Sequence, residues 1–316
     1  MSNNSQQTMQ AIQINEYGDS SVLELANAPI PTLESNDVLI KVHASSINPV
    51  DWKIREGYLA SMIPYEFPVT LGWDVAGEIT ELGADVTGWS IGDQVYSRPD
   101  IGRNGTFAEF VAVHADEIAL KPKTLDMNHA AAVPLAALTA WQSLYDFADV
   151  KAGERVLIQA GAGGVGSFAI QLAKVRGAHV ISTCSTKNVE FLKSLGADEV
   201  IDYTKQDFSE LRDIDVVFDT LGGEELSKSW QTMKEGSRLV SIVEPPSDEE
   251  AAKHGVKVGF VFIQPDGAQL KELATLIDDG KVTVTVDSVF PLKDVAAAQD
   301  KSATNRAKGK IVIQVI

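Results

Sequence analysis

Three glycines in the middle of the chain have the spacing G-x-G-x-x-G. Gly161, Gly163 and Gly166 follow the apolar run Val156 to Ile158, and a helical apolar pattern then continues to Gly177. Between a strand and a helix, this spacing is typical of a dinucleotide-binding turn. The first glycine permits the sharp turn, the second lets the backbone approach a pyrophosphate, and the third allows helix and strand to pack closely. A structural loop without a ligand is the alternative.

The end of the next predicted strand, His179 to Thr183, indicates which dinucleotide would bind. NAD-binding proteins carry an Asp or Glu about 20 residues beyond the glycines, where it holds a ribose hydroxyl. This chain has the sequence TCSTK there, ending at Lys187, and the next acid, Glu190, lies inside the following predicted helix. Hydroxyls and a cation suit a 2′-phosphate, which a carboxylate would repel. We therefore predict that the cofactor is NADPH. The alternative is that Lys187 is only a solvated surface residue.

Composition limits the class of protein. The 316 residues suit two domains, and a net charge of −17 argues against nucleic acid or an anionic membrane as a partner. Cys184 is the sole cysteine, which excludes an internal disulfide and a zinc lobe built on several cysteines. The sequence has no apolar run of about 18 residues and no signal-peptide core. We therefore expect a cytoplasmic enzyme.

The elements that must position these residues fall into two patterns. Short strands separated by turns extend to Lys121 and predict a barrel-like β domain, whereas strands and helices alternate from the glycine turn onwards and predict a parallel, doubly wound sheet. A helical pattern covers Met127 to Ala148 between them. The tail, with a strand predicted at Val282 to Val286, most simply rejoins the first domain. The predicted domains are residues 1–125 with 267–316, and residues 126–266.

Several segments together resemble the zinc-free quinone oxidoreductase branch of the medium-chain dehydrogenase/reductase superfamily. They are INPVDWKIREG, FPVTLGWDVAGEI, GTFAEFVAV, AAVPLAALTAWQSL, AGAGGVG, SLGADEVIDY and NRAKGKIVI. The resemblance covers nearly the whole chain from Met9. It implies an α/β fold, with a GroES-like β-barrel catalytic domain and a Rossmann dinucleotide-binding domain. It also implies a homodimer.

Two positions depart from the zinc alcohol dehydrogenases of this superfamily. Those enzymes have a cysteine where this chain has Asn48 and a histidine where it has Trp73. Because these residues leave too few ligands for a catalytic zinc, we predict no metal and disfavour a zinc-dependent alcohol dehydrogenase. The resemblance then implies substrates that accept a hydride without a metal, namely quinones and α,β-unsaturated ketones or aldehydes.

Candidate catalytic residues come from the segment that replaces the zinc ligands. We expect Asn48 to orient nicotinamide or substrate, and Lys53 or Tyr58 to polarise the substrate oxygen or to relay a proton. Asp51 either holds Lys53 or caps a helix. Trp73 is assigned to the apolar substrate pocket, with plain core as its alternative. A solvated Lys53 and a packing Tyr58 are the corresponding structural alternatives.

The resemblance also implies cofactor contacts. Thr139 is expected at the nicotinamide, and the adenosine phosphate end is assigned to Ser185, Lys187 and Tyr203. The remaining predicted contacts are Gly161, Ala162, Gly163, Gly164, Val165 and Gly166 in the turn; Thr220, Leu221 and Val243 beyond later strands; and Asn305, Lys308 and Lys310 in the tail, unless that basic cluster is only a solvated strand end. A non-catalytic NADPH-binding sensor or structural protein with this fold is the alternative function.

Overall fold

The computed structural model describes residues 7–316, and contacts within it divide the chain into two units. Unit 1 comprises residues 7–135, 264–278 and 284–316, and unit 2 comprises residues 136–263 and 279–283. Both are built from the short strands and helices that the sequence patterns predict.

The strands of residues 7–316 are β1 (Thr8–Ile14), β2 (Glu24–Pro29), β3 (Asp37–Ile47), β4 (Val69–Thr70), β5 (Val75–Leu82), β6 (Gln94–Ser97), β7 (Phe110–His114), β8 (Ile118–Leu120), β9 (Arg155–Ile158), β10 (His179–Cys184), β11 (Glu199–Asp202), β12 (Ile214–Asp219), β13 (Met233–Ser241), β14 (Lys257–Phe260), β15 (Val286–Pro291) and β16 (Lys310–Gln314). The α-helices are α1 (Pro49–Arg55), α2 (Met127–Ala131), α3 (Pro134–Trp141), α4 (Gly164–Val175), α5 (Val189–Ser194), α6 (Gly223–Ser229), α7 (Asp248–His254), α8 (Gly267–Asp278) and α9 (Val295–Ala303).

Unit 1 is built on a mainly antiparallel sheet with strand order β15-β16-β3-β5-β6-β8, in which β7 also pairs with β3. The central strand β3 alternates along much of its length, and its Val38, Ile40 and Val42 enter one apolar core with residues of β5, β6 and β7. A three-stranded sheet, β2-β1-β4, completes the unit. The tail contributes β16, which pairs antiparallel with β3.

Unit 2 contains a six-stranded parallel sheet with the order β11-β10-β9-β12-β13-β14. Val156, Leu157 and Ile158 of β9 are all buried, as expected for a strand covered on both faces. The strand order turns back at β9, which leads into the glycine turn. In doubly wound sheets, ligands collect at the carboxyl ends of the strands near such a point. The predicted combination of a GroES-like β domain and a Rossmann sheet is confirmed by this architecture.

Several element boundaries differ from the predictions. The contact units separate after Leu135 and Ile263, and α2 belongs to unit 1 because it packs against β3, β5 and β16; the domain bounds at residues 125 and 266 stay a prediction. The strand predicted at Val282 to Val286 is wrong, since β15 begins at Val286. The helical pattern from Met127 to Ala148 is not one helix: it breaks between α2 and Pro134, and α3 continues as a π-helix over Gln142–Phe147.

Candidate functional site

The glycine turn of unit 2 joins β9 to α4, and its glycines meet different local demands. A Cβ atom on Gly161 would collide with Ser182 Oγ of β10, and one on Gly166 would lie 2.5 Å from the Ala160 carbonyl oxygen. These positions therefore need glycine for packing within the chain itself. A Cβ on Gly163 would meet only one atom within 4 Å, the Ala160 oxygen at 3.4 Å. The absence of a side chain at Gly163 is not required by packing.

The first turn of α4 fits a phosphate group. Gly163 is the N-cap residue of this helix and has no side chain that could accept hydrogen bonds from its first N–H groups. Those amides and the helix dipole together favour an anion. Helix α4 is 12 residues long and its packing face is buried, so the amides are held in place. The turn at Ala162, Gly164 and Val165 thus offers N–H donors that suit an anion such as a dinucleotide pyrophosphate.

The residues predicted for the adenosine phosphate lie together at the carboxyl ends of β10 and β11. Cys184 of β10 is in register with Asp202 of β11, so Ser185 and Tyr203 follow neighbouring strand ends. Lys187 is exposed in the short 3-10 turn that Ser185 begins, and Tyr203 is 62% exposed. Three groups suited to a phosphate are therefore adjacent on an accessible edge.

Asp202 is an acidic residue that the sequence analysis missed at this edge. Its carboxylate accepts hydrogen bonds from the hydroxyls of Thr186, at 2.6 Å, and Thr204, at 2.7 Å, and it lies 3.1 Å from Lys205 Nζ. These donors hold the pKa of Asp202 well below its usual range. The D-x-T spacing of Asp202 and Thr204, typical of an Asx turn, was the available signal. Because its oxygens are already bonded, this carboxylate differs from the open one of a ribose-binding acid.

Predicted contacts beyond the later strands lie at the same edge of the sheet. The hydroxyl of Thr220 donates to the Gln159 carbonyl at 3.0 Å, and Asp219 accepts the Leu221 N–H at 3.1 Å, which fixes the turn after β12. Leu221 and Val243 follow β12 and β13 and expose apolar surface. Thr139 is buried in α3. Cofactor contact by these residues stays a prediction.

In unit 1, Asn48 belongs to a buried polar network at the ends of β3, β5 and β16. Its amide Nδ2 donates to Asp74 Oδ2 at 2.7 Å, and its Oδ1 accepts a hydrogen bond from the Lys310 ammonium. Lys310 also donates to the Ile47 carbonyl at 2.9 Å, and Ser46 Oγ donates to Asp74 Oδ2 at 2.6 Å. The amide group that was predicted to orient nicotinamide or substrate is thus largely engaged within the unit.

This network changes the role given to Lys310. The sequence analysis placed Lys310 with Asn305 and Lys308 as a contact to the cofactor phosphates. Pairing of β16 with β3 instead turns its ammonium into unit 1, where the residue is only 4% exposed. Asn305 has φ 54° just after α9, a left-handed position that Asn tolerates at helix ends. Lys308 is exposed, and its N–H donates to Asp287.

Asp51 caps helix α1, which was one of its two predicted roles. Its Oδ2 accepts the Asn48 backbone N–H at 2.6 Å, and no ion pair joins it to Lys53. The residue is fully buried, and its Oδ1 has no hydrogen-bond partner in the described chain. Burial raises the pKa of this carboxyl to about 8, although the Asn48 hydrogen bond acts in the opposite direction.

The other three candidates of this segment differ in accessibility. Lys53 is half-buried beside the Trp52 ring, and desolvation lowers the pKa of its ammonium. Tyr58 is 69% exposed, whereas Trp73 is fully buried. The structure therefore favours the core alternative for Trp73, because no surface of its ring is open to a ligand. Within residues 7–316, no group of three or more His, Cys, Asp or Glu residues could hold a metal ion, and no helix could span a membrane.

Comparison with known proteins identifies the family. Residues 34–123 match the alcohol dehydrogenase GroES-like domain, and residues 195–313 match the zinc-binding dehydrogenase domain. The chain belongs to the quinone oxidoreductase-like branch of the medium-chain dehydrogenase/reductase superfamily. Its predicted membership of that branch is confirmed.

Individual relatives are similar over nearly the whole chain. A chloroplast envelope quinone oxidoreductase homolog of Arabidopsis thaliana is 35% identical, with 97% of this chain and 98% of the relative covered. An NADPH-dependent alkenal/one oxidoreductase of the same plant is 40% identical over 98% of this chain and 80% of its own length. The solved quinone oxidoreductase of Coxiella burnetii is 36% identical, has a TM-score of 0.92, and covers 98% of this chain and 100% of its own.

Proposed function

We propose that this protein is an NADPH-dependent reductase that transfers a hydride, without a metal, to quinones or to the C=C bond of α,β-unsaturated carbonyl compounds. The observation that carries the proposal is the edge of the unit 2 sheet. An uncapped helix N-terminus at Gly163 and the adjacent Ser185, Lys187 and Tyr203 suit the phosphates of a dinucleotide. The relatives named above are described as quinone and alkenal/one oxidoreductases.

The preference for NADPH over NADH rests on charge at the end of β10. Lys187 offers an exposed cation, and the hydroxyl of Ser185 caps no helix turn. The nearby carboxylate of Asp202 is bonded to Thr186, Thr204 and Lys205, so its repulsion of a 2′-phosphate is reduced. These residues would hold the phosphate that distinguishes NADPH.

The metal-free part of the proposal rests on the chemistry of the unit 1 network. The family description of residues 195–313 includes zinc binding. In this chain, however, the ammonium of Lys310 bonds to Asn48, the residue at a position of a zinc ligand in the alcohol dehydrogenases. A fixed positive charge at Asn48 repels a divalent cation, and the Trp73 indole offers it no ligand.

The bound cofactor would supply the hydride, and the residues of unit 1 would serve the acceptor. Addition of hydride to the β-carbon of an enone leaves negative charge on the oxygen and requires one proton at the α-carbon. Lys53 is the best candidate to supply it, because its ammonium has no ion pair among residues 7–316 and has a pKa lowered by burial. Tyr58 is exposed and is a second candidate to supply this proton or to donate a hydrogen bond to the substrate oxygen.

The decisive experiment measures oxidation of NADPH and NADH with a quinone, a short enone and a simple ketone. The proposal expects turnover of the first two acceptors, a preference for NADPH, and no stimulation by added zinc. Lys53→Met should lower kcat for the enone while leaving NADPH affinity intact. Tight NADPH binding without turnover would favour the non-catalytic alternative, and zinc-dependent ketone reduction would overturn the proposal. Residence in the cytoplasm and a homodimeric assembly also stay predictions.

A further inference from the structure

Arg98, directly after β6 in unit 1, is a buried cation without a bonding partner. The residue is 3% exposed, and its Nε is fully buried with no acceptor. No hydrogen bond or ion pair joins its guanidinium to any other group among residues 7–316. Charged side chains are almost never buried unless they are paired, because removing them from water costs several kcal/mol. Arg98 therefore calls for an explanation.

Arg55 shows how a structural arginine is treated in the same unit. It is also 3% exposed, but its Nη1 donates to Gln299 Oε1 at 2.7 Å and its Nε donates to the Gly18 carbonyl at 3.2 Å. Glu56 neutralises its charge through a salt bridge. The two arginines are equally buried, but the guanidinium of Arg55 has hydrogen-bond and salt-bridge partners and that of Arg98 has none among residues 7–316.

The sheet register places a carboxylate on each side of Arg98, but neither bonds to it. Ser97 pairs with Val75 and with Ile118, and this register, continued one residue beyond the strand ends, places Arg98 opposite Asp74, which precedes β5, and Glu117, which precedes β8. Both Asp74 oxygens already accept hydrogen bonds: Leu135 N–H donates to Oδ1, while Ser46, Asn48 and Lys310 donate to Oδ2. Glu117 accepts the Asp100 N–H at 3.0 Å.

These carboxylates reduce the cost of the buried charge without satisfying its donors. Burial lowers the pKa of the Arg98 guanidinium, and the attraction of Asp100, Asp74 and Glu117 only partly opposes that effect. Tyr65 is another electrostatic neighbour, and its ring centroid lies 6.3 Å from that of Trp73, whose Nε1 also lacks a partner. Arg98 Nε and Trp73 Nε1 are thus two buried donors of unit 1 that have no acceptor among residues 7–316.

We propose that Arg98 binds an anionic oxygen of the acceptor, so that unit 1 selects quinones or enones that carry a carboxylate. A guanidinium presents paired N–H groups that match a carboxylate in geometry and charge. Asp74, Asp100 and Glu117 offset the charge of Arg98 without bonding to its N–H groups, so an acceptor carboxylate would supply the missing hydrogen bonds. The chemical class of the acceptor depends on the proposed reductase function, whereas the anion site itself does not.

The first test compares protein stability with and without a carboxylate. Arg98→Met removes a charge that has no hydrogen bond to lose, so its melting temperature should equal or exceed that of the wild type. The matched control, Arg55→Met, should melt lower because it breaks several buried hydrogen bonds. Sodium benzoate should raise the melting temperature of the wild type more than benzamide does. The same difference should appear in Arg55→Met, measured from its own melting temperature, and should vanish in Arg98→Met.

The second test measures the acceptor preference of the holoenzyme with NADPH. The acceptors are trans-3-benzoylacrylate and its methyl ester, which differ in the carboxylate charge. We expect the ratio of their kcat/KM values, acid over ester, to fall about 10- to 100-fold in Arg98→Met, as for loss of a charged hydrogen bond. Arg98→Lys should retain part of the preference, because it keeps the charge and loses the paired geometry.

The two tests separate failure of the site from failure of the reductase function. An unchanged ratio in an active Arg98→Met enzyme, or equal effects of benzoate on wild type and Arg98→Met, would refute the anion site while the reductase function stands. Benzoate stabilisation that needs Arg98, in a protein that reduces no acceptor, would support the site and overturn the reductase function. A drop in melting temperature as large as that of Arg55→Met would show that Arg98 is structural.

Discussion

Asp51→Asn should change how the stability of the protein depends on pH. The Asp51 carboxyl is fully buried in α1, and only one of its oxygens accepts a hydrogen bond, from the Asn48 N–H. Burial raises its pKa from the ordinary 3.8 to about 8. Between these values the folded protein keeps a proton that the unfolded chain has released. Asp51 thus contributes stability that is complete below pH 4 and is lost as pH rises towards 8.

The size of the effect follows from this difference in proton binding. Where one extra proton is bound only in the folded state, the free energy of unfolding falls by about 1.4 kcal/mol per pH unit. Over the whole range from the ordinary pKa to about 8, the free energy of unfolding can fall by at most about 6 kcal/mol through Asp51. Asparagine keeps an oxygen that can accept the Asn48 N–H and cannot ionise. The variant should therefore lack this slope and gain stability relative to the wild type as pH rises.

Urea denaturation of wild type and Asp51→Asn at pH 5, 6, 7 and 8 measures the difference. Asp37→Asn is the matched control, because Asp37 is also buried but is paired with Arg103, which lowers the pKa of its carboxyl. The contribution of Asp37 is lost only as pH falls below the ordinary carboxyl range, so its difference from wild type should be flat from pH 5 to 8. Parallel stability curves for wild type and Asp51→Asn would refute the reasoning, since they require Asp51 to be ionised throughout.

Three further predictions concern the proposed cofactor edge and the buried lysine. In steady-state kinetics, Lys187→Ala should raise KM for NADPH about 10-fold more than KM for NADH. The control Lys193→Ala, which removes an exposed ion pair with a glutamate, should change neither KM value. Gly166→Ala should lower the melting temperature, because its Cβ would lie 2.5 Å from a carbonyl oxygen. Gly163→Ala should keep the melting temperature within about a degree or two of the wild-type value, and calorimetry should show that it weakens NADPH binding. Lys310→Met should cost about 3–5 kcal/mol in urea denaturation, because it leaves a fully buried carboxylate without its cation; a loss below 1 kcal/mol would contradict that role.

The sequence predicted the fold where one local pattern determined it. The glycine spacing between Val156 and Gly177 correctly indicated strand, turn and helix, because Gly161 and Gly166 each answer a local steric demand. The strand misplaced at Val282 to Val286 shows the limit of this approach. Valines alternate with threonines over residues 282–286 as in a strand, whereas β15 itself does not alternate, and pairing with β16, which no local pattern encodes, decides which segment enters the sheet.

The candidate site was harder to predict, because its contacts join residues far apart in sequence. Lys310 and Asn48 are separated by 262 positions, and only the register of β16 against β3 shows that the lysine bonds to the asparagine. Asp202 approaches Thr186 in the same way, through the pairing of β10 with β11. Residue type alone indicated a cation for a phosphate in the tail, while burial in the sheet gave Lys310 a different partner.

Three buried ionisable side chains of unit 1 differ in how many hydrogen-bond partners they have. Lys310 has three acceptors, Asp51 has one bonded oxygen and one unbonded, and Arg98 has no partner in the described chain. Charges without partners destabilise a fold, and natural proteins retain such conflicts mainly where function requires them. The charge that the fold satisfies fully is therefore best read as structural. The one that it leaves unsatisfied, Arg98, is the residue from which a search for the substrate should begin.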